Sequence, residues 1–210
     1  MSSSPASALE RAAIDLVRLH QVEGGGAAKT LALVCLDSSE GAAPAIVDMA
    51  VGAAGRVGLT TGMQEHLDAG RRCLLIHNSP SEGSLGDADW CACLDDTGVE
   101  EIVAVNSSGS VFRGAALDWT GLSSYRGKLD QIAKYVEARL CPYLPADHPA
   151  VYLMADLPWV ASHLVNERLH KKGLVLYTAT LSAPDKRLLR NPAVAPLVGA
   201  AVAEAARHIP

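Results

Sequence analysis

Aromatic side chains are scarce, at 4 % of 210 residues with a single phenylalanine, so the core has to be built from Ala, Val and Leu rather than from rings. Dense Lys/Arg clusters are missing too, and the formal net charge is −5. That argues against a nucleic-acid surface. Met1-Ser-Ser-Ser-Pro5 has neither the basic nor the apolar region of a signal peptide. No stretch reaches the roughly 18 uninterrupted apolar residues that span a bilayer. The expectation is a cytoplasmic protein without membrane contact, with secretion by a specialised system left open.

Other absences narrow the chemistry. The five cysteines are odd in number, and Cys35 and Cys73 lie in apolar, strand-like runs, as buried free thiols of a reducing compartment do. Cys91-x-Cys93 is not a Cys-x-x-Cys pair, and residues i and i+2 of a helix point to different sides. No Gly-x-Ser-x-Gly elbow supports a Ser/His/Asp set drawn from Ser79 or Ser81 with His77 and Asp89. Ser81-Glu82-Gly83-Ser84 lacks the glycine spacing and the lysine of a phosphate loop. His163 and His170, seven residues apart on one predicted helix, are expected at the surface.

What is present is ordinary globular material, 49 % hydrophobic and 20 % charged, enough for one domain with a real core. Helices are expected over 7–21, 61–69, 87–95, 129–140, 159–172 and 194–208. Ser84 or Asp87 would cap the helix over 87–95. Strands are expected over 30–36, 72–77, 101–106, 111–114 and 174–181. Two more, 45–49 and 55–60, would be joined as a hairpin through Gly52 and Gly55. Leu74, Leu75 and Ile76 should form a central strand beside Ile102, Val103 and Val105, because neither run alternates with polar residues. The fold class is α/β (α+β): a single domain with a mixed central sheet flanked by helices. Residues 1–29 read as an N-terminal helix and Gly-rich linker, 30–182 as the domain, and 183–210 as a C-terminal helix.

The stretch "LLIHNSPSEGSLGDADW", Leu74 to Trp90, stands apart. A buried strand runs into His77, then a Gly/Ser loop, then two aspartates at the start of a helix. A zinc hydrolase needs imidazole and carboxylate ligands converging from rigid elements, with one position open for water. The segment "IHNSPSEGSLGDAD" resembles the His-x-His-Pro…Ser-x-x-Asp metal motif of the JAB/MPN (JAMM) metalloproteases, the deubiquitinase-like isopeptidases and their bacterial, toxin- or effector-associated relatives. "VEEIVAVNSSGSVFRG" and "HLVNERLHKKGLVLYTATL" resemble elements that follow the motif, so the likeness covers about residues 30–182.

The resemblance implies a JAB/MPN (cytidine deaminase-like) architecture and assigns places in the motif. His77 stands where the first metal-binding histidine stands, Pro80 matches the proline, and Asp89 matches the metal-binding aspartate. Ser79 takes the second histidine's place, and Gly86 that of the serine that assists the tetrahedral intermediate. The catalytic glutamate would lie upstream on the hairpin, where Glu40 and Asp48 are the acidic candidates. Asp87 and Cys91, i and i+4 on one helix face, are candidates to complete a zinc site with His77. A catalytic zinc takes three protein ligands plus water, and the motif offers two. Losing even a partner behind the ligands costs roughly 10–100-fold in affinity or activity.

Two readings follow. In one, the protein is an inactive JAB/MPN-like module without cofactor that binds another protein, with a ubiquitin-like tail as the partner class implied by the resemblance. In the other, it is a zinc peptidase or isopeptidase with a non-standard ligand set around His77 and Asp89, and with Glu40 or Ser79 in catalytic parts.

Overall fold

The computed structural model describes residues 8–23, 29–36, 45–52, 57–79, 83–96, 98–141 and 158–210. Six strands form one mixed sheet of order β2-β1-β3-β4-β5-β6. They are β1 (Lys29–Cys35), β2 (Ala45–Gly52), β3 (Cys73–Ser79), β4 (Val99–Asn106), β5 (Val111–Ala116) and β6 (Val175–Thr180). Every pairing is antiparallel except β3–β4. That parallel pair needs a crossover, which the helix α3 (Asp87–Asp95) supplies. Leu75 lies opposite Ile102, and Ile76 opposite Val103, as the two apolar runs require.

Both faces of the sheet are covered. The helix α1 (Ala8–Glu23) lays Ala13 and Val17 on Ala32, Val34, Leu74, Ile76, Val103 and Val105. The larger core on the other face joins Leu31, Leu33, Leu75, Ile102 and Phe112 to Trp90 of α3 and to three further helices. These are α5 (Leu129–Leu140), α6 (Pro158–Lys171) and α8 (Ala195–His208). Two-sided burial is why β3 is apolar without alternation. Among the described residues, no helix is long and apolar enough to cross a membrane.

The structure departs from the sequence reading in three places. Residues 57–60 form no strand; β2 instead runs to Gly52 and pairs with β1. Thr60, itself extended, is the N-cap of α2 (Thr61–Asp68), its hydroxyl accepting from the Met63 N–H, so the helix starts directly after it and no partner strand pairs with this stretch. A short helix α4 (Trp119–Ser123), capped by Asp118, precedes α5. The 183–210 segment holds two helices, because Ser182 caps α7 (Ala183–Arg190) ahead of α8. Leu188, Val194, Ala201, Ala205 and Ile209 of this segment belong to the main core, and α8 packs on α5 and α6. The helix α5 ends at Leu140, as its expected range has it.

Asp185 latches α7 to the β4–β5 turn. Its Oδ2 accepts from Asn106 Nδ2 at 2.9 Å and from the Ser108 and Ser110 hydroxyls at 2.5 Å each, and the residue is only 6 % exposed. Asp185→Asn keeps one acceptor oxygen but loses the charge that three donors share. About 1–2 kcal/mol should go, a drop of roughly 2–8 °C in the thermal midpoint. An unchanged melt would mean that the latch is redundant.

Candidate functional site

His77 comes near the C-terminal end of β3, and Asp89 from the first turn of α3. Ahead of α3, Gly83 adopts φ +61°, and a Cβ there would lie 2.5 Å from Cβ of Trp159. The extended N-cap of α3 is Gly86 rather than Ser84 or Asp87. Its N–H donates to Asp89 Oδ2 at 2.8 Å, closing half of a capping box. Asp89 Oδ1 is thereby turned toward the sheet, 2.9 Å from His77 Nε2.

The other imidazole nitrogen, Nδ1, donates to the Asn78 carbonyl at 3.0 Å. Nε2 has no well-aligned hydrogen bond despite its burial; its neighbour is the carboxylate. His77 is 2 % exposed and the Asp89 side chain 15 %. Burial opposes charge on His77, but Asp89 outweighs it and raises the imidazole pKa. Burial likewise opposes charge on Asp89, and His77, helped by the Gly86 N–H, outweighs it and lowers the carboxyl pKa. With Nδ1–H committed to a carbonyl, the second proton sits on Nε2 facing Asp89. Both shifts favour the imidazolium–carboxylate form of the pair.

This pair lies in the floor of a cleft of about 400 Å³. Leu31, Leu75 and Ala92 give it apolar walls, while Lys29, Gln64 and Asp96 place polar groups along it. Such a mixture of apolar wall and few polar groups is what binding clefts use.

The other candidates are placed differently. Ser79 is buried on β3, two residues beyond His77 on the same strand face, opposite Asn106 of β4. Glu40, Pro80 and Ser81 lie outside the described residues. Asp48 sits on β2 opposite Leu33, whereas the row of His77 runs through Leu31 to Ala50. Its carboxylate takes the Thr60 hydroxyl and the Met49 N–H, and the Thr60 bond above all holds its pKa down. It serves the start of α2.

Asp87 and Cys91 do share a helix face, Sγ donating to Oδ2 at 3.8 Å. That face meets the turn before α5, where Asp87 accepts from the Gly127 N–H at 3.0 Å and the Leu129 N–H at 3.3 Å. The rescue set is therefore not assembled, and among the described residues no three His, Cys, Asp or Glu side chains group to hold a metal. Cys91 and Cys93 point apart as their spacing requires, Cys93 into the core, where burial pushes its thiol up to about 12. His163 is a correction: only 6 % exposed, it is a core residue, while His170 stays at the surface.

Asn166 of α6 was not a sequence candidate. It is wholly buried, accepts from Trp90 Nε1 at 2.8 Å, and donates to Ser84 Oγ at 3.2 Å and the Leu85 carbonyl at 2.8 Å. It pins the chain on both sides of Asp89. An asparagine inside a helix, where its amide competes with the backbone, was the available signal. No protein-family model, no curated protein and no solved structure matches the chain.

Proposed function

We propose that this is an α/β module of the JAB/MPN type whose metal centre has decayed to an ion pair, and that it acts by holding another protein in the cleft above that pair. The observation that carries the reading is the 2.9 Å approach of His77 Nε2 to Asp89 Oδ1; the resemblance puts Ser79 in the third ligand's place. Zinc as a catalytic ion takes three protein ligands and a water. A serine hydroxyl is a poor substitute for imidazole, because its alkoxide is inaccessible near neutral pH. The donor set of one imidazole and one carboxylate does not fit the metal, and the pair satisfies its own charges.

A ubiquitin-like C-terminal tail is the partner class that the resemblance brings, and the cleft's apolar walls and polar groups suit a short extended segment. Titrating such a tail peptide into the labelled protein should shift the amide signals of Leu31, Leu75 and Ala92, without cleavage of an isopeptide-linked reporter. No shift would end the binding reading.

One observation favours a second reading. A histidine that binds a metal through one nitrogen is typically oriented by donating from the other to a carbonyl or carboxylate, and His77 Nδ1 does so with Asn78. In that reading the protein is a zinc peptidase or isopeptidase held by His77 and Asp89, with Glu40 as its base. Restoring the motif separates the two. Ser79→His with Gly86→Ser returns the missing imidazole, and among the described residues a serine Cβ at 86 meets Asp130 Oδ1 at 3.4 Å and Asp89 Oδ2 at 3.9 Å. Calorimetry should show weak, substoichiometric zinc binding by the parent and a gain of at least about tenfold in the double variant. Equal binding by both would mean that the motif alignment is wrong.

A further inference from the structure

A second cavity, of about 220 Å³, opens between the last two turns of α6 and β6 and shares no lining residue with the His77 cleft. His163, Glu167, His170 and Lys171 line it from one face of α6, with Tyr177 and Leu181 opposite.

The protons behind it can be counted. Trp90 Nε1 can only donate, so its bond to Asn166 Oδ1 fixes the orientation of that amide. Both Asn166 N–H groups then go to Ser84 Oγ and the Leu85 carbonyl. Ser84, already an acceptor, donates to Tyr177 Oη at 3.0 Å. Tyr177 in turn donates to His163 Nδ1 at 2.9 Å. The opposite direction would leave the proton of Ser84, 2 % exposed, without an acceptor among the described residues. His163 is thus the neutral tautomer with its N–H at Nε2, and burial, which lowers its pKa, keeps it so. Glu167 Oε1 is 3.7 Å from that nitrogen, beyond hydrogen-bond reach. A buried ring therefore turns its one fixed donor toward the cavity, where the Glu167 carboxylate is 3.7 Å away and the exposed Lys171 lines the rim.

We infer that this cavity binds a small zwitterion of the α-amino acid class, its carboxylate accepting from His163 Nε2–H and Lys171 Nζ and its ammonium donating to Glu167. A simple anion would be opposed by Glu167 and a simple cation by Lys171. A molecule that carries both charges leaves each paired at the mouth of the cavity. The cavity holds about seven water volumes, which limits the ligand to a short side chain lying against Leu181.

L-alanine is the probe, with propionate (no ammonium) and ethylamine (no carboxylate) as its two incomplete analogues. Titration is followed by the ring signals of His163 and of Trp159, whose ring centroid lies 5.8 Å from that of His163. L-alanine should bind saturably in the millimolar range, and each analogue at least about tenfold more weakly, as expected for one lost charge-assisted bond. Glu167→Gln and Lys171→Met should each weaken L-alanine about tenfold while melting like the parent. No saturable shift, equal response to all three compounds, or parent-like binding by either variant overturns the assignment.

Discussion

Asn166→Ala lowers the thermal midpoint by about 8–24 °C. The substitution strands the Trp90 indole N–H, the Ser84 hydroxyl and the Leu85 carbonyl, all three of which Asn166 serves in the buried interior. Each buried group left without a partner costs about 1–3 kcal/mol. Partial relaxation leaves a total of roughly 4–6 kcal/mol, and a chain of this size loses about 2–4 °C per kcal/mol. The damage is also local. Asn166 holds the backbone just before Gly86 and the indole just after Asp89, so the variant should lose the close approach of Asp89 to His77. The raised imidazole pKa of His77 reports that contact in histidine-resolved NMR. A variant that melts low but keeps the raised pKa would show that Asn166 supports the core without positioning the site.

His77→Ala is the second large effect, and its sign with pH identifies the ion pair. Removing the ring takes one donor from the Asn78 carbonyl and leaves the Asp89 carboxylate without its charge partner, at a cost of about 2–4 kcal/mol near pH 6, which lowers the midpoint by about 4–16 °C. The folded-state pKa of His77 is raised, so its stabilisation is complete below the unfolded value near 6.5 and fades as pH rises through the folded value. Asp89 is lowered, so its share is present above the unfolded value near 3.9 and fades as pH falls through the depressed one. The gap between parent and His77→Ala should be widest at about pH 4–6.5 and narrow toward pH 9. A gap that widens with pH would mean that His77 is neutral in the fold, with no ion pair to lose.

The sheet was legible because burial dictates composition. A strand covered on both faces must be apolar throughout, and Leu74–Ile76 and Ile102–Val105 are. The helix ends were less so. A cap is a single hydrogen bond from a small polar side chain, and Ser182 and Thr60 look like any loop serine or threonine until the chain is folded. Thr60 was read into a strand, and α7 was missed. At the site, His77 and Asp89 stood out because their spacing around a loop demanded a joint purpose, and their contact in the structure follows that spacing. Asp87 and Cys91 satisfied the same local geometry but face a different neighbour. Helical spacing tells which residues share a face and not where that face points. The Trp90–Asn166–Ser84–Tyr177–His163 chain was invisible for a related reason: its members lie up to 93 residues apart and meet only when α6 and β6 close over α3.

Zinc content decides most directly whether the His77–Asp89 pair stands in place of a metal. The protein, loaded with excess zinc and then dialysed against a weak chelator, is assayed for bound metal beside His77→Ala. An ion pair that satisfies its own charges leaves both proteins with zinc well below one equivalent. One equivalent retained by the parent and lost in His77→Ala would make the pair a working metal site and contradict the decayed-centre reading.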